Sequence, residues 1–170
     1  MTHPDVAFVL GGGGHRGAYE VGMLKALTEQ GIRPDVVLGT SIGAVNGALI
    51  ARDPGIDGAA LLEQTWIDLN FGDVFPGSLW SKARSALRQR TYLHGNDQLR
   101  EWLESLLADD AFGDLAVPFQ CVAACIEEAA EQWFTSGSLI DAILASSAVP
   151  GLLPPVEIAG KHFVDGGVVN

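Results

Sequence analysis

Apolar residues fall into two textures along the chain. Residues 5–10 (Asp5-Val6-Ala7-Phe8-Val9-Leu10) and 36–38 (Val36-Val37-Leu38) are short, nearly continuous runs. That is the pattern of strands in a parallel sheet, and the first is expected to lie centrally in it. Residues 18–30 instead space Val21, Leu24 and Leu27 along one helical face, and Gly31 stops the helix. Residues 44–51 are small and mostly apolar, the texture of a buried helix. The opening of the chain therefore predicts β-α-β-α, the start of an α/β fold with helices on a parallel sheet.

The pattern continues less regularly. Residues 59–69 predict a helix, 71–79 a loop around Phe75, Pro76 and Gly77, and 80–90 a basic amphipathic helix with Trp80, Ala83 and Leu87 on one side. Residues 97–107 predict another helix, with Leu99, Trp102, Leu103 and Leu106 as its stripe. Strands follow at 117–126 and 132–134, then a helix at 139–146. A hairpin is expected where 156–158 and 162–164 flank Ala159-Gly160-Lys161. The expected organisation is a single domain over 1–170, with 53–110 as a helical, cap-like region.

Composition narrows the class. The chain has 170 residues, 48% of them hydrophobic, enough for a real core and far from a disordered composition. Its formal net charge of −11 argues against nucleic acid as the main partner. Five of its ten Lys and Arg residues (Lys82, Arg84, Arg88, Arg90 and Arg100) nevertheless fall between 82 and 100, beside Trp80. Peripheral contact with an anionic lipid surface through 80–100 competes there with a solvated helix capping the sheet. No basic n-region precedes the first apolar run, and no run is long enough to span a bilayer. The expected location is cytoplasmic, with peripheral membrane contact as the variant. Cys121 and Cys125 read as core thiols in a reducing compartment. No cluster of His, Cys, Asp and Glu has metal-ligand spacing, so no metal and no cofactor is expected.

The candidate chemistry starts at Gly39-Thr40-Ser41-Ile42-Gly43. A strand, a G-x-S-x-G turn and a helix form the nucleophile-elbow pattern. Gly39 and Gly43 relieve crowding at the tight turn, and Ser41 projects from the end of the strand at a helix N-terminus. The first strand is followed by Gly11-Gly12-Gly13-Gly14-His15-Arg16-Gly17. Gly12-x-Gly14-x-x-Gly17 also matches the dinucleotide fingerprint, with Asp35 near the distance of a ribose ligand. Asp35 precedes the second strand, however, and the ribose carboxylate belongs at the far end. Read as an oxyanion hole, the amides of Gly12, Gly13 and Gly14 approach a substrate oxygen without side chains in the way. Well-aimed donors of this kind are worth about 3 kcal/mol each. Arg16 then either holds the loop or meets an anionic head group, and His15 is exposed loop.

A serine nucleophile needs a base. The histidines are His3, His15, His94 and His162, and none follows Asp165. His94 and His162 stay open as bases without a supporting motif. Asp165 follows an apolar strand and precedes Gly166-Gly167, which permits a tight turn against a neighbour. That suggests a direct Ser41–Asp165 dyad, with a simple turn aspartate as the plain alternative. A carboxylate of ordinary pKa, about 4, is a weaker base than imidazole, so such a site suits esters better than peptides.

Taken together, Gly12 to Gly17, Gly39 to Gly43, Ala145-Ser146-Ser147-Ala148-Val149-Pro150 and Asp165-Gly166-Gly167 resemble the patatin-like phospholipase family in residues and order. The resemblance implies a three-layer α/β/α fold with a mostly parallel central sheet. It implies hydrolysis of phospholipid or another fatty acyl ester, with Ser41 as nucleophile, Asp165 as base, and the Gly12–Gly14 amides as oxyanion hole. Residues 145–150 would shape the site wall. Two features depart from the family. Ala124-Cys125-Ile126-Glu127 replaces its usual Thr-Asp pair, and family domains continue past Asp-Gly-Gly, so the chain reads as C-terminally truncated or shortened. A lipid-binding or regulatory domain with little turnover is the competing class, and a nucleotide-binding domain the third.

Overall fold

The computed structural model describes residues 5–69, 96–108 and 110–169. The expected helix at 80–90, the loop at 71–79 and most of the basic cluster lie outside the described residues. The order is β1 (Ala7–Leu10), α1 (Gly17–Glu29), β2 (Val36–Thr40), α2 (Ile42–Arg52), α3 (Ile56–Asp68) and α4 (Asp97–Leu107). Then come β3 (Phe119–Cys125), β4 (Ala130–Phe134), α5 (Leu139–Ser147), β5 (Val156–Ile158) and β6 (Lys161–Asp165). This is the α/β class expected from the sequence, on a six-stranded mixed sheet. Its parallel part is β1–β2–β3, while β4 and β6 run antiparallel to β3 and β5 antiparallel to β6.

The strand β1 is parallel, as expected, but it is not central. Among the described residues it pairs only with β2 and forms one end of the sheet. Phe8 and Leu10 are buried, while Val9 is 73% exposed. A four-residue apolar run has too few positions to distinguish a central strand from an edge one. The expected turn at 159–161 also shifts. Lys161 pairs with Ile158 in the ladder, which leaves Ala159 and Gly160, at φ 52° and 79°, as a two-residue turn.

Helix α2 carries the core. Every residue from Ile42 to Ala51 is buried, packed against β1, β2 and β3. Small side chains allow this: Gly47 lies so close to Phe119 and Val37 that a Cβ there would come within 2.9 Å of the Phe119 ring. Helices α1 and α3 cover α2, α5 packs beside it on β3, β5 and β6, and α4 packs on α5. The stripe of α4 is Leu99, Leu103 and Leu107, with Trp102 and Leu106 at its margins.

One feature of the sheet places the site. Cys121 pairs with Gly39 on one edge and Phe134 on the other, and Ala123 pairs with Asp165 and Gln132. Strand β4 thus lies along one edge of β3 from Cys121 to Cys125, and β2 and β6 share the other. Because β2 runs parallel to β3 and β6 antiparallel, their C-terminal ends meet head-on. Thr40 is opposite Val122 and Asp165 opposite the next residue, Ala123. Residues 125 apart in sequence, if counted from Thr40 to Asp165, are thereby brought together.

Candidate active site

Ser41 begins α2 at φ 56°, ψ −125°. A positive φ at a residue with a side chain costs on the order of 1–3 kcal/mol and persists only where packing enforces it. The enforcement is close contact on both sides. A Cβ on Gly39 would lie 2.5 Å from the Ala44 Cα, and one on Gly43 would lie 2.4 Å from the Leu10 carbonyl oxygen. Both expected elbow glycines are therefore required by the approach of backbone, and the turn presses directly against the end of β1.

Asp165 ends β6 and is buried beside the serine. Its carboxylate lies close enough to the Ser41 side chain to feel it and accepts from the Gly167 N–H at 2.8 Å. Burial raises its pKa above the ordinary carboxylate value, and Ser41 and the bond from Gly167 act in the opposite direction. The turn fits tightly: a Cβ on Gly166 would lie 2.4 Å from the Val122 carbonyl oxygen. The Asp165 N–H donates to the Ala148 carbonyl at 2.9 Å, so the residue is anchored at its backbone as well.

The glycine loop lies over the serine. A Cβ on Gly12 would sit 3.2 Å from Ser41 Cβ and 3.9 Å from its Oγ. Gly13 and Gly14 adopt φ 154° and 58°, conformations that glycine takes without strain. The Arg16 N–H donates to Gly13 O at 3.2 Å and closes the loop, while the Arg16 and His15 side chains are exposed. Gly17 lets the start of α1 settle on the elbow helix, since a Cβ there would come within 2.9 Å of Ile42 and Trp66.

Ser146 was not distinguished from its neighbours by the sequence. It is fully buried, and its Oγ accepts the Ser41 N–H at 2.9 Å. Two residues on, Ala148 O receives Asp165. The C-terminal turn of α5 therefore grips the backbone of both Ser41 and Asp165. It also occupies the Ser41 amide. The motif at 145–150 marked the segment without revealing these bonds.

Other candidates are engaged elsewhere. The His162 ring is 2.8 Å from Glu127, which raises its pKa. The Glu127 carboxylate is held down at about 2 by the His162 N–H and then its ring. Asp35 accepts the Asp5 and Val6 amides, both at 2.9 Å, at the opposite end of β1 and β2 from the glycine loop. That is no place for a ribose ligand. Arg100, from the basic cluster, pairs with Asp141. Cys121 and Cys125 are free and buried, and burial pushes the Cys121 thiol up to about 12. His94 lies outside the described residues. A cleft of about 460 Å³ between α4 and the start of α5, lined by Arg100, Glu104, Asp110 and Ser138 among others, does not include Ser41 or Asp165. Among the described residues, no helix is long and apolar enough to cross a membrane, and no group of three or more His, Cys, Asp or Glu is placed to hold a metal.

An α/β sheet bearing a serine elbow beneath a glycine loop defines the class. The patatin-like phospholipase family model matches residues 8–170, and the chain belongs to that family. It is 33% identical over 166 residues to lysophospholipase nte1 of Aspergillus terreus, covering 98% of this chain and 10% of that protein. It is 30% identical over 175 residues to mouse patatin-like phospholipase domain-containing protein 7, covering all of this chain and 12% of that one. The chain thus spans about a tenth of the length of these relatives. Among solved structures, VipD from Legionella pneumophila matches 97% of the chain and 46% of its own, at TM-score 0.68 and 15% identity. That likeness is one of fold.

Proposed function

We propose that the chain is a serine hydrolase of lipid acyl esters. Ser41 is the nucleophile, Asp165 the general base, and the amides of Gly12, Gly13 and Gly14 the oxyanion hole. The observation that carries this reading is the placement of the buried Asp165 at the end of β6 beside Ser41 at the end of β2, directly under the glycine loop. Ser41 Oγ attacks the ester carbonyl carbon as its proton passes to Asp165. The carbonyl oxygen becomes an oxyanion that accepts from the loop amides. The C–O bond to the leaving alcohol breaks, Asp165 returns its proton to that alcohol, and an acyl-Ser41 ester remains. Water attacks this ester with Asp165 again taking a proton, and the fatty acid leaves as Ser41 is restored. Desolvation makes Asp165 a stronger base than an exposed carboxylate, which favours the transfer from serine.

Phospholipid or lysophospholipid is the substrate class that fits the names of the relatives. Arg16, exposed and without an ion pair to any described residue, stands where the loop leads into α1 and is available to an anionic head group. Peripheral contact with the lipid surface through 80–100, in the cytoplasm, completes the proposal.

The test is a fluorophosphonate probe followed by intact mass, alongside fatty acid release from lysophosphatidylcholine. The proposal expects one adduct per chain, none on Ser41→Ala, and release that disappears in the same variant. A folded chain that takes no adduct and releases no acid would instead be a lipid-binding domain.

A further inference from the structure

Glu20 belongs to none of the motifs above, yet its carboxylate joins the two halves of the site. It lies on the first turn of α1, half-buried. Its Oε1 accepts the Gly11 N–H at 2.8 Å, at the root of the glycine loop. Its Oε2 accepts from Asn46 Nδ2 at 2.9 Å, on the elbow helix. Asn46 is fully buried and is itself braced. Its Nδ2 donates to the Gly17 carbonyl at 3.2 Å, and its Oδ1 accepts from Trp66 Nε1 of α3 at 2.8 Å. The chain Gly11–Glu20–Asn46–Trp66 thus ties loop, α1, α2 and α3 at one point.

The chemistry selects a carboxylate. Glu20 faces a donor on each oxygen, so an acceptor-only group satisfies both. Burial raises its pKa, and the bonds from Asn46 and Gly11 offset that cost. The loop needs such a tie. Four successive glycines offer no side chain to pack, and Gly11 to Gly14 are all exposed. Left free, the loop would sample many conformations, whereas oxyanion donors act only when they are aimed in advance.

We propose that Glu20 is a positioning residue that holds the Gly11–Gly14 loop over Ser41 by bridging the Gly11 amide to Asn46. The inference rests on the hydrolase reading above for its catalytic meaning, and on the hydrogen bonds alone for the bridge.

The experiment compares the chain with Glu20→Ala and Glu20→Gln in three ways. These are the Gly11 amide proton by NMR, kcat and KM on p-nitrophenyl butyrate, and Ki for an alkyl trifluoromethyl ketone. The ketone forms a hemiketal oxyanion on serine and so reads the donors. In Glu20→Ala the Gly11 proton should move upfield, with kcat down about 10- to 100-fold at nearly constant KM. Ki should rise by the same factor as kcat falls. Glu20→Gln should be intermediate, because its amide NH2 must face one of the two donors. An unchanged Gly11 resonance overturns the bridge. A lost bridge with wild-type kcat and Ki overturns the positioning role. A wild type that hydrolyses no ester defeats the hydrolase reading and the catalytic role with it, while the Gly11 resonance still decides whether the bridge exists.

Discussion

At the scale of single residues, Asp165 sets how the site responds to pH. The folded chain holds the Asp165 proton more tightly than the unfolded chain does, because burial raises its pKa. As a base it must be ionised, so kcat/KM should fall on the acid side at a pH above the ordinary carboxylate value of about 3.9. A profile that holds flat down to that value would exclude Asp165 as the titrating base. Stability runs the other way. Between the unfolded and folded pKa values the native state carries the extra proton, so stability falls as pH rises through that window and stays lower above it. Asp165→Asn removes the buried charge and can still accept from Gly167. It should raise Tm at pH 7 by about 2–4 °C for a gain near 1 kcal/mol. That gain should vanish below about pH 3.9. Calorimetry at both pH values checks the sign.

At the scale of elements, the elbow depends on close contact of backbone. Gly43→Ala would put a Cβ 2.4 Å from the Leu10 carbonyl oxygen, so it should destabilise by about 2 kcal/mol or more, or prevent folding. Gly22, on the exposed side of α1 with nothing near, makes the contrast. Gly22→Ala should stabilise by about 0.5–1 kcal/mol through helix propensity alone. Urea melts of the two variants measure the difference. Ser146→Ala should leave the Ser41 amide unpaired in a buried turn, lowering kcat about 10-fold with little change in KM. What was readable in the sequence was local. The strand, turn and helix at Ser41 follow one another directly, and α4 shows its stripe within eleven residues. What was hidden depends on register. Nothing in residues 119–125 says that β2 and β6 share one edge of β3, yet that sharing is what brings Thr40 and Asp165 side by side. Ser146, Glu20 and Asn46 were silent for the same reason, since their partners are 105, 9 and 26 residues away. The edge position of β1 among the described residues is not legible because its sequence is apolar on both faces while only one face is buried.

At the scale of the whole molecule, a net charge of −11 opposes approach to an anionic bilayer. Salt screens that repulsion, with a Debye length of about 10 Å at 0.1 M. Contact through the basic residues 82–100 works against that repulsion and is screened as well, so hydrolysis on anionic vesicles should fall between about 10 mM and 150 mM salt, and on zwitterionic vesicles it should stay level. A rise on anionic vesicles over the same range would mean that the overall charge governs approach and would count against docking through residues 82–100. Vesicle co-sedimentation separates binding from turnover in the same samples.

The central claim is that Asp165 acts directly as the base for Ser41. The most direct measurement is the rate of p-nitrophenyl butyrate hydrolysis by the wild-type chain, Ser41→Ala and Asp165→Asn, with each variant first shown to be folded by circular dichroism. The account predicts turnover by wild type and loss of at least about 1,000-fold in both variants, as expected when members of one catalytic unit are removed. Wild-type turnover that survives in Asp165→Asn would contradict it and return the role of base to another residue.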